Sequence, residues 1–216
     1  MPRIRKAAVE KETLLDPRAG VWREADAVKL PLQPTPVAMQ PSDYIRETYE
    51  QGAVGAVQEL EVRVLHNGSE IFFRLEWPDP TRDVDVSEAH RFADGVAVMF
   101  PFGEDAPLVT MGSPAQPVNQ WHWRADLEKP YNLTTAGLGT TYRTPESFVE
   151  AKAVWEGGRW AVVLARPLQT PDPDNHVPFT PGGTVKAAFC VWEGSHQERA
   201  GLKSYSPTWT EFTLEA

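Results

Sequence analysis

Apolar and polar residues alternate with a period of two along much of the chain. The segment 59–65 reads ELEVRVL and the segment 70–77 reads EIFFRLEW, with the dipeptide Asn67-Gly68 between them. Asn-Gly is favoured in two-residue hairpin loops because a type I′ turn needs positive φ at both central positions. The pattern therefore predicts a β-hairpin whose turn is His66-Asn67-Gly68-Ser69.

Further apolar runs predict strands at 95–100, 151–155, 160–166, 184–192 and 208–214. Several runs are apolar on both faces, as in the centre of a packed sandwich, and the segment 155–160 predicts a second tight hairpin. Helical signals are limited to single turns at 87–92 and 144–148, and the Pro-rich stretches 30–41 and 167–181 predict long loops. We expect an all-β fold, a single antiparallel β-sandwich domain over residues 1–216 with long loops and a few short helical turns.

Composition and charge exclude several kinds of chemistry. The chain has 216 residues and a formal net charge of −9, which disfavours nucleic-acid binding because phosphate neutralisation needs clustered basic residues. Cys190 is the only cysteine, so this chain alone builds no disulfide, thiolate zinc site or iron–sulfur cluster, and it lacks the Cys-x-x-Cys-His of c-type haem attachment. No histidine pair has helical zinc spacing, and no nucleophile-elbow or nucleotide-binding motif occurs.

No apolar run approaches the roughly 20 residues that span a bilayer. The first thirty residues also contain no apolar stretch of signal-peptide length. If the chain is complete, we expect it to be cytoplasmic or to be exported on a partner.

Two segments combine unusual residues. The segment 110–126 reads TMGSPAQPVNQWHWRAD, and the segment 194–206 reads GSHQERAGLKSYS. Taken alone, a methionine beside a glycine is usually core filler, and a lysine in a loop is usually solvated. Neither segment identifies a function by itself.

In their order along the chain, these segments resemble the gamma subunit of ethylbenzene dehydrogenase and its relatives, the haem b subunits of type II enzymes of the dimethyl sulfoxide reductase family. The matching pieces span nearly the whole chain, and the likeness is nearest to the hydrocarbon- and steroid-hydroxylating branch. They are Asp16-Pro17 with Trp22, Pro34-Thr35-Pro36, His66-Asn67-Gly68-Ser69, Arg74-Leu75-Glu76-Trp77, Phe92-Ala93-Asp94-Gly95-Val96, Met99-Phe100-Pro101, Thr110-Met111-Gly112, Pro117-Val118-Asn119, Trp121-x-Trp123, Ala188-Phe189, Val191-Trp192, Glu198-Arg199, Gly201 and Lys203-Ser204-Tyr205-Ser206.

The resemblance implies one non-covalent haem b held between a methionine and a lysine, which by position are Met111 and Lys203. A thioether is a soft, neutral ligand that raises the reduction potential, and lysine can ligate iron only as the neutral amine, which burial favours. Asn119 and Trp121 are further candidates for contact with the cofactor, and Asp94 and Asn119 are candidates for positioning either the haem edge or the loop that carries Met111. Alternative ligands are Met99, which core packing suits better, and His122, because histidine is the commoner haem ligand.

The resemblance also implies a non-catalytic electron-transfer subunit in a heterotrimer. Its partners would be a large subunit with the molybdenum cofactor and an iron–sulfur subunit, and its acceptor a soluble cytochrome. It would work in the periplasm after export with a signal-bearing partner. Two alternatives stay open: a parent enzyme acting on selenate, chlorate or dimethyl sulfide, and a haem-free carbohydrate-binding sandwich in which Trp121 and Trp123 stack on sugar.

Overall fold

A computed structural model describes residues 1–103 and 106–216 and has an all-β fold, as the sequence predicts. The described residues form fourteen strands: β1 (Arg3–Lys6), β2 (Val28–Pro31), β3 (Gln33–Pro34), β4 (Glu59–His66), β5 (Glu70–Pro78), β6 (Gly95–Pro101), β7 (Val118–Arg124), β8 (Tyr131–Thr135), β9 (Tyr142–Arg143), β10 (Glu150–Trp155), β11 (Arg159–Pro167), β12 (Thr184–Trp192), β13 (Ser204–Tyr205) and β14 (Thr210–Leu214). The helices are α1 (Lys11–Leu15) and α2 (Asp43–Thr48), with 3-10 turns at Gly20–Glu24, Val37–Met39, Gln51–Ala53 and Gly194–His196.

The strands form two layers that pack face to face. The first layer has the order β10-β11-β5-β4, with β2 also on β4, and the second has the order β14-β12-β6-β7-β8-β9. The ring of Phe73 in the first layer lies 5.6 Å from that of Phe100 and 5.7 Å from that of Trp121 in the second. These aromatic contacts belong to a core cluster that fills the space between the layers.

Strand β1 joins the two layers. Its first half pairs in parallel with β14, as Arg3 lies opposite Thr213, and its second half pairs in parallel with β4, as Lys6 lies opposite His66. Every other strand pair among the described residues is antiparallel. The predicted antiparallel sandwich is thus confirmed, with one parallel strand at the seam.

Both predicted hairpins are present, but their turns differ from the expectation. At the first, Gly68 has a φ of +99° while Asn67 is not in the left-handed region. Instead the Asn67 side chain accepts hydrogen bonds from the backbone N–H groups of Ser69 and Glu70. At the second, Gly157 and Gly158 both have positive φ, so the type I′ geometry occurs there, where glycine adopts it without steric cost.

The predicted helical turns are not helical. Residues 88–91 form a hydrogen-bonded turn, and residues 144–148 are irregular. The short helices form elsewhere, and α2 is preceded by the N-cap residue Ser42, whose side chain accepts a hydrogen bond from the backbone N–H of Ile45. In the described part of the chain, no helix has the length and apolar character needed to cross a membrane.

Candidate functional site

A cavity of about 1000 Å³ lies on the outer face of the second layer. Strand β7 contributes Gln120, His122 and Arg124 to its wall, since these alternate residues point away from the core. Most of the remaining wall comes from the segments 40–45, 86–95, 138–141 and 198–203, and the other residues that line it are Met111, Tyr131, Leu133 and Trp192. The volume is at the upper end of the roughly 300–1,000 Å³ typical of sites for small molecules and cofactors.

Met111 and Lys203 meet at this cavity. Lys203 Nζ lies 2.8 Å from Met111 Sδ and 5.0 Å from the centre of the Trp192 ring, and only 2% of Lys203 is exposed. Among the described residues, no carboxylate pairs with this amine. Burial without a counter-ion lowers the pKa of Lys203 and so favours the neutral amine.

The backbone at Met111 is held in an uncommon conformation. Its φ is +57°, and the φ of the following Gly112 is +86°. A Cβ on Gly112 would lie 2.7 Å from the Gln116 carbonyl oxygen and 3.0 Å from that of Thr135, so only glycine fits. Left-handed geometry at a non-glycine residue costs roughly 1 kcal/mol or more and persists where surrounding contacts enforce it. The sequence Thr-Met-Gly therefore presents the thioether from a tight, fixed loop.

Thr35 fixes the loop that carries Lys203. Its backbone N–H donates to the Lys203 carbonyl at 2.9 Å, and its hydroxyl donates to the Gly201 carbonyl at 2.6 Å. Buried Glu198 accepts from the backbone N–H groups of Gly55 and Ala56. The proline-flanked Thr35 and a carboxylate thus anchor the lysine loop to distant parts of the chain.

An aromatic stack continues from Lys203 along the cavity wall. The rings of Trp192 and His122 are nearly parallel, with centroids 4.5 Å apart, and the Tyr131 hydroxyl lies 3.2 Å from His122 Nδ1. Burial, followed by the charges of Lys203 and Arg124, lowers the pKa of His122 to about 3. His122 is therefore neutral at physiological pH, and the alternative nitrogen ligand named from the sequence lines the same cavity.

Asn119 and Trp121 lie on the opposite face of β7, inside the sandwich. The Asn119 side chain donates to Asn132 Oδ1 at 2.7 Å and to the Leu133 carbonyl. Trp121 is fully buried, and its ring centroid lies 4.7 Å from that of Phe100. Neither side chain lines the cavity, because adjacent strand residues point to opposite faces; Trp123 is likewise buried.

Met99 packs in the core, and Asp94 hydrogen-bonds within the protein. Met99 is fully buried in a cluster that also contains Cys190 and Tyr205, beneath the cavity. Asp94 accepts from the backbone N–H of Gly194 and from Trp160 Nε1, which ties two loops to the sandwich.

Sequence reasoning missed a group of three buried carboxylates near the cavity. Oxygen atoms of Asp79, Asp94 and Glu193 lie within 4.8 Å of one another. Burial and the neighbouring carboxylates Asp94 and Glu193 raise the pKa of Asp79 to about 7, and burial raises that of Asp94 to about 6. Each of the three accepts hydrogen bonds from protein donors. No local pattern reveals the group, because its members come from three separate segments.

The geometry defines a class of protein: a β-sandwich with a cavity on one outer face that is large enough for a small molecule or cofactor, beside a thioether and a buried amine. Within that class the chain belongs to the ethylbenzene dehydrogenase family, whose family model matches residues 19–147 and 134–204. The resemblance drawn from the sequence is thereby confirmed.

Curated relatives extend the match. A protein of Haloferax mediterranei, named as the proposed haem subunit of a respiratory nitrate reductase, is 34% identical to this chain. The alignment covers 91% of this chain and 67% of that protein. The chain is 33% identical over 95% of its length to 82% of the chlorate reductase gamma subunit of Ideonella dechloratans. It is also 33% identical over 70% of its length to 59% of the dimethylsulfide dehydrogenase gamma subunit of Rhodovulum sulfidophilum.

Solved structures share the fold at low identity. A proposed carbohydrate-binding protein of Bacteroides uniformis has a TM-score of 0.53 at 14% identity, covering all of this chain and 98% of that one. A family 9 carbohydrate-binding module of Caldicellulosiruptor kristjanssonii has a TM-score of 0.50 at 9% identity, covering all of this chain and 93% of that one. At such identities the likeness concerns the fold alone.

Proposed function

We propose that this chain is the haem b-binding electron-transfer subunit of a multi-subunit molybdenum enzyme, with Met111 and Lys203 as the axial ligands of the iron. The observation that carries the proposal is the contact of the Lys203 amine with the Met111 sulfur at the wall of the large cavity. The two residues lie 92 positions apart in sequence, and among the described residues neither side chain has another hydrogen-bond or ion-pair partner.

The donor set suits a haem. Both residues also line a second space of about 10 Å³, which is about the size of one water molecule. An iron atom held by both ligands would have to separate the Lys203 amine from the Met111 sulfur, which lie 2.8 Å apart. The large cavity is mainly apolar, as a porphyrin face requires. When bound, haem supplies a one-electron iron couple, and filling of both axial positions suits electron transfer rather than binding of a small molecule.

The chain's own residues prepare the two ligands. The dry pocket around Lys203, with Trp192 on one side and Leu202 buried beside it, favours the neutral amine that can coordinate a metal. The thioether of Met111 is neutral at every pH, and its loop is fixed by Gly112. Neutral His122 adds no charge that would oppose this arrangement.

The assembly belongs to the proposal as well. We infer a heterotrimer in which this chain accepts electrons from an iron–sulfur subunit, alongside a large subunit that holds the molybdenum cofactor, and passes them to a soluble cytochrome. Three relatives are named as subunits of nitrate reductase, chlorate reductase and dimethylsulfide dehydrogenase, and these names support a role within such a complex. We place it in the periplasm, exported with a signal-bearing partner.

The parent enzyme's substrate is proposed to be a hydrocarbon of the ethylbenzene or steroid type. The matching family model supports this assignment, while the relatives named for chlorate and dimethyl sulfide support the alternative. Purification of the tagged chain with its partners, followed by assays with ethylbenzene, a sterol, chlorate and dimethyl sulfide, separates the two. Turnover of the inorganic or sulfur substrates alone would reject the hydrocarbon assignment.

Reconstitution of the purified chain with haem tests the cofactor proposal. We expect a low-spin Soret spectrum that changes in Met111→Leu, which keeps the volume but removes the sulfur, and in Lys203→Ala, which removes the amine. Each variant should lower haem affinity by about tenfold or more, the effect of losing one strong interaction. The exposed Lys129→Ala serves as the control and should bind haem as the wild type does.

Two outcomes would reject the proposal: a chain that takes up no haem, or a spectrum that neither variant changes. The carbohydrate-binding alternative predicts instead a colourless protein whose sugar binding depends on Trp121 and Trp123. Both indoles are buried between the layers, so this alternative would require the sandwich to open.

A further inference from the structure

Within the described part of the chain, four cationic side chains line the cavity, and three of them already have a partner or a proposed role. Arg91 pairs with Asp85 and Glu88, and Arg124 pairs with Asp126 through two hydrogen bonds. Lys203 is buried in the cavity wall and is one of the two proposed iron ligands. The fourth cation is Arg199.

Arg199 has no carboxylate partner among the described residues. Its Nη1 donates to the Tyr49 hydroxyl and to the Gln197 carbonyl, both at 2.8 Å, and its guanidinium lies 4.3 Å from the centre of the Phe92 ring. These contacts leave Nε and Nη2 without a protein acceptor in the described part of the chain. The side chain is half-buried, which places it at the rim of the cavity.

This arrangement is a prepared anion site. Stacking on Phe92 and the hydrogen bond to Tyr49 hold the guanidinium plane, so that little side-chain entropy remains to be lost when an anion binds. Two free N–H groups on one edge of a guanidinium match the two oxygens of a carboxylate. The remaining cavity wall is mainly apolar, so its ligand should be a flat apolar body with an acidic group at one end.

We propose that Arg199 binds a propionate of the porphyrin and so orients the cofactor with its acidic edge towards the rim between Phe92 and Tyr49. The inference rests on the proposed function and adds to it the orientation of the ligand. Arg199 lies four residues before Lys203 in the same loop, and the Leu202 N–H donates to the Arg199 carbonyl at 2.8 Å. Binding at Arg199 therefore also fixes the loop that supplies the lysine.

Optical titration of the full-length, haem-free chain with iron protoporphyrin IX and with its dimethyl ester tests this inference. The ester keeps the iron and the macrocycle but removes both negative charges. We expect the wild type to bind the acid form about tenfold more tightly than the ester, as the loss of one charge-assisted pair predicts. Arg199→Gln should bring the ratio close to one, mainly by weakening the acid form, and Arg199→Lys should retain part of the preference.

Arg124→Gln is the matched control, because this arginine lines the same cavity but is already paired, and it should keep the wild-type ratio. An Arg199→Gln protein that keeps the full preference, or a wild type that binds both forms equally, would overturn the inference. In either case a low-spin spectrum dependent on Met111 and Lys203 would leave the proposed function standing. Failure of both porphyrins to bind the wild type would instead reject the proposed function itself, and the inference with it.

Discussion

At the scale of single residues, burial shifts the acids and bases of this chain in opposite senses. Lys203 and His122 have lowered pKa values, so protonation opposes their buried state and their contribution to stability falls as pH falls. Asp79 has a pKa raised by burial and by two nearby carboxylates, from 3.8 to about 7. Its contribution has the opposite sign, because the folded protein binds the proton more tightly than the unfolded chain.

The Asp79 contribution leads to a pH prediction. Stability from this group is fully present below pH about 4 and is lost as pH rises towards about 7. Asp79→Asn removes the ionisation and should raise the free energy of unfolding relative to wild type at pH 8, by about 1–3 kcal/mol, with much less gain at pH 4.5. Urea unfolding at several pH values between 4.5 and 8 measures the difference.

The exposed Asp174→Asn is the control and should give a curve parallel to that of the wild type. A difference between Asp79→Asn and wild type that stays constant with pH would contradict the assignment. Such a result would indicate altered hydrogen bonding to Trp77 and Thr81 rather than a lost charge.

At the scale of elements, the short Pro34-Thr35-Pro36 segment supports the loop that carries Lys203. The Thr35 hydroxyl donates a hydrogen bond to the Gly201 carbonyl, and the same oxygen accepts one from the Lys203 backbone N–H at 3.2 Å. Thr35→Val should lower the free energy of unfolding by about 1–3 kcal/mol, since both buried backbone groups lose this partner. Haem affinity should fall too, because the loop loses its anchor.

Thr134→Val provides the matched control. Thr134, in β8, is buried like Thr35, but its hydroxyl has no partner among the described residues. Its removal should therefore be neutral or slightly stabilising in the same urea experiment. Equal losses from the two substitutions would show that the Thr35 hydrogen bonds contribute little.

Strands with an alternating or a continuously apolar pattern were predictable from the sequence, whereas β7 was not. The strand at 184–192 has the predicted limits, and the β4–β5 hairpin is present, because their patterns match half-buried or fully buried strands. Strand β7 was not predicted: its outer residues Gln120, His122 and Arg124 are polar and face a cavity, and its Trp-His-Trp was interpreted as core or interface residues without a strand being assigned. The turn at Asn67-Gly68 differs because the Asn side chain, rather than its backbone, shapes it.

The candidate site was predictable only through the family resemblance. Met111 and Lys203 lie 92 residues apart, and neither alone differs from an ordinary core methionine or loop lysine. Trp121 was placed with the cofactor from the same segment, but strand alternation turns it into the core. Tertiary packing also creates the surroundings of Arg199 and, separately, the group of three buried carboxylates that contains Asp79. No local periodicity encodes either of them.

At the scale of the whole molecule, the sandwich depends on the seam made by β1. This strand of four residues hydrogen-bonds to both layers, and its central Ile4 is fully buried in the core cluster between them. The site lies away from this seam, on the outer face formed by β6, β7 and β12. A substitution at the seam should therefore lower the stability of the sandwich without changing the geometry of the site.

Ile4→Ala tests this separation. Truncating a fully buried isoleucine should cost about 2–4 kcal/mol in the free energy of unfolding, and both layers should lose structure in one transition because β1 connects them. Urea unfolding followed by far-ultraviolet circular dichroism and by tryptophan fluorescence measures both effects. The Soret spectrum of the haem-loaded variant should match that of the wild type below the transition, since the substitution leaves β6, β7 and β12 intact. Val9→Ala, at a partly exposed residue beyond β1, should change stability by less than about 0.5 kcal/mol. Two separate transitions in the wild type would show that the layers fold independently and that β1 is not the seam that couples them.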